Sequence, residues 1–554
     1  MDTYTMRGSS NLRPTSRRAF LKTAGTLGGL ASLGVLSACS REGSAGGAVV
    51  LRVGPEGTFA AMPSKAEQKG SVTLQAYADA LQEWYDANPG VELRKTSIDI
   101  WDQEAMVTAV AGGTAPAIYP SNPLGGWSQP EINSAFKQGL AADVTERIDN
   151  SGLVGKLSDY VRPAFESAWK VGGKYYGVPG GYSVGDGIFY RRDLFAQADV
   201  AEPTPKWTWA DVQRMARALT VKDRKGIAEP AWALSMRFTS AGSGLLTDLP
   251  APDTTWHWRS DYTSMADSWV TIIEDFRRMM FEERSIVSDI SYNSWNEVTA
   301  AFLRDDVAMR PGNSTSYFDS PDSDTSFASL AKRLDKPVGD VVGWMSYPLG
   351  EQGQFPGRRS FITAYSFNPD LGSEALDACF SLYSFMIGPG LVQQVNAVYE
   401  KTKDLRQVYD AGTLTPILAE TRGKLPGSPE EAWGKQFVDA VLGAGSRMVV
   451  PERSSYLPPE EKAGPSSKAS EDAFSRWMYE RGDLDLRADV RRLEATLNKQ
   501  AESFSSSVGK EEFVAGAKKY FAAHDEFWQT DAPEFHEQIF RPWYEDRVLP
   551  ALGE

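Results

Sequence analysis

Thiols, imidazoles and paired carboxylates are the groups that carry metal, redox or hydrolytic chemistry, so their number and spacing bound what this chain can do. Its 554 residues hold two cysteines, Cys39 and Cys379, and three histidines, His257, His524 and His536. Two thiols in such different surroundings build neither a disulfide framework nor a thiolate metal cluster. Only His524 and His536 lie near each other, and their spacing fits no usual ligand motif. No His-Glu-x-x-His pair occurs either. The expected metal site is therefore none, and the expected cofactors are none.

One cysteine stands in a context that predicts chemistry of another kind. Ser16-Arg17-Arg18-Ala19-Phe20-Leu21-Lys22 precedes a mild apolar run, Thr23 to Ala38, which ends at Leu36-Ser37-Ala38-Cys39. The run is interrupted by four glycines and falls short of the roughly 20 apolar residues a spanning helix needs. Arg17 and Arg18 resemble the pair of a twin-arginine export signal, and the last four residues resemble a lipobox. Residues 1–38 are thus expected to be a signal peptide, Cys39 the acylated residue, and 39–48 a flexible tether to the cell membrane. Cys379 is expected to be a small core residue on a helix.

The full chain carries 58 basic and 73 acidic residues, a formal charge of −15. Without residues 1–38 it would carry 53 against 72, or −19. That balance excludes a nucleic-acid partner needing a basic face. With 42% hydrophobic and 24% charged residues the chain can bury a large core, which excludes general disorder.

The elements that must position any site follow from hydrophobic spacing. Val49–Val53 reads as a buried strand, followed by helical spacing at Leu74, Tyr77, Ala78, Leu81, Trp84 and Tyr85, stopped by Asn88-Pro89-Gly90. A strand at 91–94, a helix at 103–111 closed by Gly112-Gly113, and a strand at 117–119 continue the alternation, which implies a parallel α/β sheet. Gly172-Gly173 predicts a hairpin turn. A strand at 188–190 is expected to feed a helix over 192–198. Thr208 is a good N-cap for a helix over 209–219. Helices are further expected at 268–281, 295–303 and 374–386, with Asp305-Asp306 turning the chain into a strand at 307–309. The region beyond about 404 reads as mostly helical and charged.

Several phrases, in order along residues 49–390, resemble the extracellular solute-binding proteins of ABC importers, in the carbohydrate-binding family that includes maltose-binding protein. They are Ala111-Gly112-Gly113-Thr114-Ala115-Pro116, Gly173-Lys174-Tyr175-Tyr176-Gly177-Val178-Pro179, Tyr190-Arg191-Arg192-Asp193-Leu194-Phe195, Thr208-Trp209-Ala210-Asp211 and the stretch Phe302 to Gly312. Ala117 stands where the family has an aspartate. The resemblance implies an α/β, two-lobed periplasmic-binding-protein type II fold with crossing hinge segments, here with extra C-terminal helices. It implies one lobe from 49–178 plus about 312–365 and another from 179–311 plus about 366–554. It also implies a non-enzymatic monomer that captures a carbohydrate and delivers it to ABC permease subunits. A secreted glycoside hydrolase and an oligopeptide carrier are the alternatives.

A sugar presents polar edges and apolar C–H faces, so its site needs flat aromatics together with hydrogen-bonding side chains. The candidates lie in loops at strand ends and at the crossings. They are Asn122 and Trp127 after the third strand, Tyr182, Ser183 and Asp186 at the first crossing, Asn313 and Tyr317 at the second, and Arg358 with Arg359 at a third. Each also has a structural reading: Trp127 as a hydrophobic plug, Asp186 as a turn cap, Arg358-Arg359 as a solvated hairpin tip. Trp101-Asp102 sits before a helix, with Asp102 equally suited to be its N-cap. Trp209 is assigned to packing. Trp256-His257-Trp258 reads as a stacking loop or a lid.

Overall fold

The computed structural model describes residues 48–554 apart from 56–57, 126–128, 160, 184–185, 232, 314–326, 337, 351–360, 410–415, 436–437, 440–452, 454–455 and 458–466. The expected signal segment with Arg17 and Arg18, Cys39, and residues 40–47 of the expected tether lie outside the described residues.

Strands β1 (Val49–Val53) and β2 (Val91–Lys95) pair in parallel, Val49 beside Val91 and Val53 beside Lys95. The helix Val72–Ala87 makes the crossover between them. Ser71 accepts the Leu74 N–H to start it, and Ala76, Tyr77, Ala80, Leu81 and Trp84 are buried on one face. A second crossover helix, Gln103–Ala111, leads to β3 (Ile118–Pro120), whose approach is tied to β1 by Ala117 N–H donating to the Arg52 carbonyl. The predicted hairpin is β4 (Lys170–Val171) with β5 (Lys174–Tyr175). Gly172 and Gly173 have φ of 59° and 80°, the left-handed pair that a two-residue turn of matching twist requires.

The next two strands organise the molecule. β6 (Val178–Ser183) and β7 (Asp186–Arg191) are consecutive in the chain yet belong to different sheets. β8 (Lys225–Ile227) joins β7's sheet, while β9 (Asp248–Pro250) and β10 (Trp258–Ser260) form a separate antiparallel pair. β11 (Val307–Asn313) and β12 (Val342–Ser346) complete the second sheet in the order β12-β7-β11-β8, and β13 (Phe361–Phe367) returns to the first in the order β3-β13-β6. β13 runs antiparallel to both neighbours, and β1 with β2 forms a parallel pair of its own beside this sheet, so the parallel pattern expected from β1 to β3 is not continuous.

Both faces of the second sheet are covered, which explains the unbroken apolar run Ile188-Phe189-Tyr190. Ile188 and Tyr190 pack with the helices Trp209–Leu219 and Ala266–Arg277, whereas Phe189 and Trp344 pack with Trp295–Leu303 and Phe327–Arg333. Thr208 closes the predicted cap with Asp211, each side chain accepting the other's backbone N–H.

Two segments join other partners than the resemblance implied. β12 pairs with β7 inside the second sheet, because Gly187 lets it approach: a Cβ there would stand 2.2 Å from the Met345 carbonyl oxygen. The helices Ser373–Ile387 and Pro389–Thr402 instead pack in one core with β1 and the first crossover helix. Cys379 is buried there as expected, and the Trp84 indole donates to Ser381 Oγ at 3.2 Å.

The C-terminal helices Ser467–Tyr479 and Leu486–Ala501 extend the core of the second sheet, while Lys510–Asp531 and the turns after it form an aromatic core with β9 and β10. This overturns the stacking loop or lid expected at Trp256-His257-Trp258. Both tryptophans are buried, and His257 stacks on Phe513 with its Nε2 2.8 Å from the Val508 carbonyl oxygen.

Candidate functional site

Strand register decides which loops share an end. In the second sheet Asn313, the last residue of β11, stands opposite Asp186, the first of β7, and Ser346 at the end of β12 stands opposite Gly187. β8 runs parallel to β11, with Ile227 beside Met309, so Ala228 and Glu229 continue toward the same end. In the first sheet Ser183, the last residue of β6, stands opposite Phe361, the first of β13. β3 runs against β13, so Ser121 and Asn122 leave at that end too. The β6–β7 crossing joins the two ends. Asn122, Tyr182, Ser183, Asp186 and Asn313 are therefore brought to one region by both sheets, the place where open α/β sheets hold ligands.

At the second sheet's end the side chains are charged and enclosed. Glu229 lies two residues past the end of β8, and Arg237 lies on the second turn of the helix Ala233–Ser240. Arg237 Nη2 donates to Glu229 Oε2 at 2.7 Å, with side chains 5% and 0% exposed. The guanidinium lies over Trp209 at 4.1 Å and over Phe276 at 4.5 Å, which gives the charge a π-face on two sides. Glu229 Oε1 and Arg237 Nε are buried without a hydrogen-bond partner. Burial pushes the Glu229 carboxyl above its ordinary range, although Arg237 pulls it down. Trp209 does pack, as expected, its indole donating to Ser240 Oγ at 2.6 Å.

At the first sheet's end the groups are neutral. Ser121 Oγ and Ser366 Oγ share a hydrogen bond of 2.7 Å, and Ser366 donates on to the Tyr176 carbonyl, so Ser121 is structural. Asn122 follows in a single 3₁₀ turn, is 6% exposed, and its Oδ1 has no partner. Asp102 is the N-cap of Gln103–Ala111, its Oδ1 accepting the Ala105 N–H at 2.7 Å. The cap is thus the reading that the structure supports for that carboxylate.

Trp127, Tyr317, Arg358 and Arg359 lie outside the described residues. Tyr182, Ser183, Asp186 and Asn313 are placed by their backbone, in β6, β7 and β11. Sequence reasoning missed Glu229 and Arg237. The signal available was an acidic residue and a proline just past a Gly-Ile-Ala stretch, with a basic residue eight positions after the acidic one, a spacing that a strand-to-helix turn folds back on itself. It also passed over Gly181-Tyr182-Ser183-Val184-Gly185, which spells the spacing of a hydrolase nucleophile elbow. That elbow needs a strand turning into a helix, and here Ser183 ends one strand while the chain continues into another. The three imidazoles are committed elsewhere: His257 to Val508, His524 to Trp528, and His536 to Asp525 at 2.7 Å. Among the described residues no group of three or more His, Cys, Asp and Glu is placed to hold a metal ion.

A cavity of about 310 Å³ lies at a different place, between β10 and the C-terminal helices. Three of its charged side chains are engaged: Arg547 holds both oxygens of Asp261, at 3.0 and 2.9 Å, and Glu494 accepts the Thr263 N–H.

The family model for bacterial extracellular solute-binding proteins matches residues 65–365. Curated protein sequences give no match. Among solved structures, the chain is similar to an ABC substrate-binding protein from Listeria monocytogenes in complex with cycloalternan, at 16% identity and a TM-score of 0.54, over 81% of this chain and 98% of that one. It is also similar to a maltose/maltodextrin-binding domain from Bdellovibrio bacteriovorus bound to maltotriose, at 14% identity and 0.51, over 82% and 99%. A maltose-bound protein of T. maritima matches at 13% identity and 0.54, over 81% and 98%. At these identities the likeness establishes the fold.

Proposed function

The chain belongs to the bacterial extracellular solute-binding protein family, and from that premise we propose that it captures a carbohydrate between its two sheets and hands it to an ABC permease. The observation that carries this reading is the pair of unsatisfied buried oxygens, Asn122 Oδ1 and Glu229 Oε1, which belong to loops leaving the joined ends of different sheets. A buried acceptor without a donor costs about 1–3 kcal/mol, and a ligand rich in hydroxyls supplies the missing donors. The saccharides in the similar structures favour the same class.

The mechanism is closure. A ligand that touches both ends binds the closed arrangement better and shifts the population toward it. Moving from mostly open to mostly closed takes about 5.5 kcal/mol of differential affinity, within the roughly 8 kcal/mol that a micromolar ligand provides. No step alters the ligand covalently. Export by the twin-arginine route and acylation at Cys39 would tether the protein where the permease lies, and the lobes would act as a monomer.

Calorimetric titration with neutral oligosaccharides and with oligopeptides tests this reading. Saccharide binding without turnover is the expected result. Peptide binding alone removes the carbohydrate assignment, and release of shorter sugars in the same tubes turns the protein into a hydrolase.

A further inference from the structure

One wall of the cavity beside β10 is made by residues beyond the family model, which ends at residue 365: Glu494 and Asn498 on the helix Leu486–Ala501, and Arg547 in the C-terminal turns. The other wall is β10 and the turn after it, from Arg259 to Ser264. The helix grips the strand wall at two points one turn apart. Asn498 Oδ1 accepts the Ser260 N–H at 2.8 Å while its Nδ2 donates to the Ser260 carbonyl at 3.0 Å, and Glu494 Oε2 accepts the Thr263 N–H at 2.6 Å. Asp261, buried on the strand side, is answered by Arg547. These bonds set the shape of the cavity before any ligand arrives, which lowers the ordering cost of binding.

Two opposite charges are left over. Arg259 is exposed on the strand wall and has no ion-pair partner among the described residues. Glu494, on the helix wall, spends Oε2 on a backbone N–H and pairs with no cation among the described residues, so Oε1 is available to another donor. Because Asn498 pins Ser260, the residue next to Arg259, and Glu494 sits one helical turn from Asn498, the two leftover charges belong to adjoining parts of facing walls. None of the eight lining residues is aromatic, so the cavity offers no flat face to a pyranose ring. Its volume of about 310 Å³ lies at the lower end of the roughly 300–1,000 Å³ of ligand pockets, which suits a small solute and not an extended chain.

We propose that this cavity is a second ligand site, which takes a polar α-amino acid through its carboxylate on Arg259 and its ammonium on Glu494 Oε1. A solute of one charge leaves the opposite wall unanswered, whereas a zwitterion makes a charge-assisted hydrogen bond at each wall. The site is separate from the joined sheet ends and stands whether or not the ligand held there is a carbohydrate.

Calorimetric titration of the full chain with glycine, L-serine and L-glutamine, beside acetate and methylamine as probes of one charge each, reads the site directly. At least one amino acid should bind, and at least about tenfold more tightly than either single-charge probe. Arg259→Gln and Glu494→Gln should each weaken that binding at least about tenfold. The second variant keeps a side-chain oxygen for the Thr263 N–H, so the walls stay joined. Saccharide affinity should follow neither substitution. The site is overturned if none of the three amino acids binds, if both variants bind them as the parent does, or if acetate or methylamine binds as tightly. Loss of saccharide and amino-acid binding together in these variants would likewise remove the separate site.

Discussion

The two ends that meet at the β6–β7 crossing solve opposite problems. The second sheet's end holds a carboxylate and a guanidinium almost out of water, walled by Trp209 and Phe276. The first holds the half-exposed indole of Trp101, the Thr96 hydroxyl and the Asn122 amide. A buried charge pair tolerates no loosening, because each partner is the main compensation for desolvating the other. A neutral rim can be altered at little cost to the fold. Folding should therefore depend on the charged end, and choice of ligand on the neutral one.

The comparison breaks most visibly at Arg237. Arg237→Met leaves the Glu229 carboxyl buried beside an apolar side chain, and about 3–5 kcal/mol of stability should go, read as a lower urea midpoint. Replacing Glu229 by Leu in the same chain should restore more than half of that loss, since the pair is then apolar on both sides. Trp101→Ala, at a side chain 38% exposed, should cost far less in the same assay. Equal destabilisation by Arg237→Met and Trp101→Ala would erase the distinction between the two ends.

A finer probe is acidity. Burial raises the Glu229 carboxyl above its ordinary value of 4.5, so over some range the folded chain keeps a proton that the unfolded chain has released. For a carboxyl raised on folding, this contribution is full below pH 4.5 and is lost as pH climbs through the folded value. Glu229→Gln cannot release that proton, so its stability should fall less than the parent's as pH rises above 4.5. Parallel curves for the two proteins would show that Glu229 titrates alike in both states.

These ends were unequally legible in the sequence, for a physical reason. Features set within a few residues could be read directly: the glycine pair of the β4–β5 hairpin, the Thr208 cap, the helix Trp295–Leu303, and burial of Cys379. Asn122 could be found because it follows a strand that its own composition announces. The Glu229–Arg237 pair is close in sequence, but its meaning comes from Trp209 and Phe276, which only the packed sheet brings to it. The partners of β12 and of the helices Ser373–Ile387 and Pro389–Thr402 depend on contacts more than a hundred residues away, where hydrophobic spacing says that a segment is buried but not against what. The same spacing marked Trp256 and Trp258 as notable and could not distinguish a ligand surface from a core.

The smallest effect concerns Asp102, the cap of the helix that follows β2. Asp102 holds the first turn of Gln103–Ala111, so Asp102→Ala should cost about 1 kcal/mol, while Asp102→Asn, whose side chain also accepts the Ala105 N–H, should cost much less. If Asp102 acts only through the helix, ligand affinity should follow the cap: reduced a few-fold in Asp102→Ala, where the loop carrying Trp101 loses its anchor, and preserved in Asp102→Asn. If the carboxylate itself meets the ligand, Asp102→Asn should keep its urea midpoint and lose affinity. Urea denaturation and calorimetry on the same two variants distinguish these patterns, and only the first keeps the first sheet's rim a neutral one.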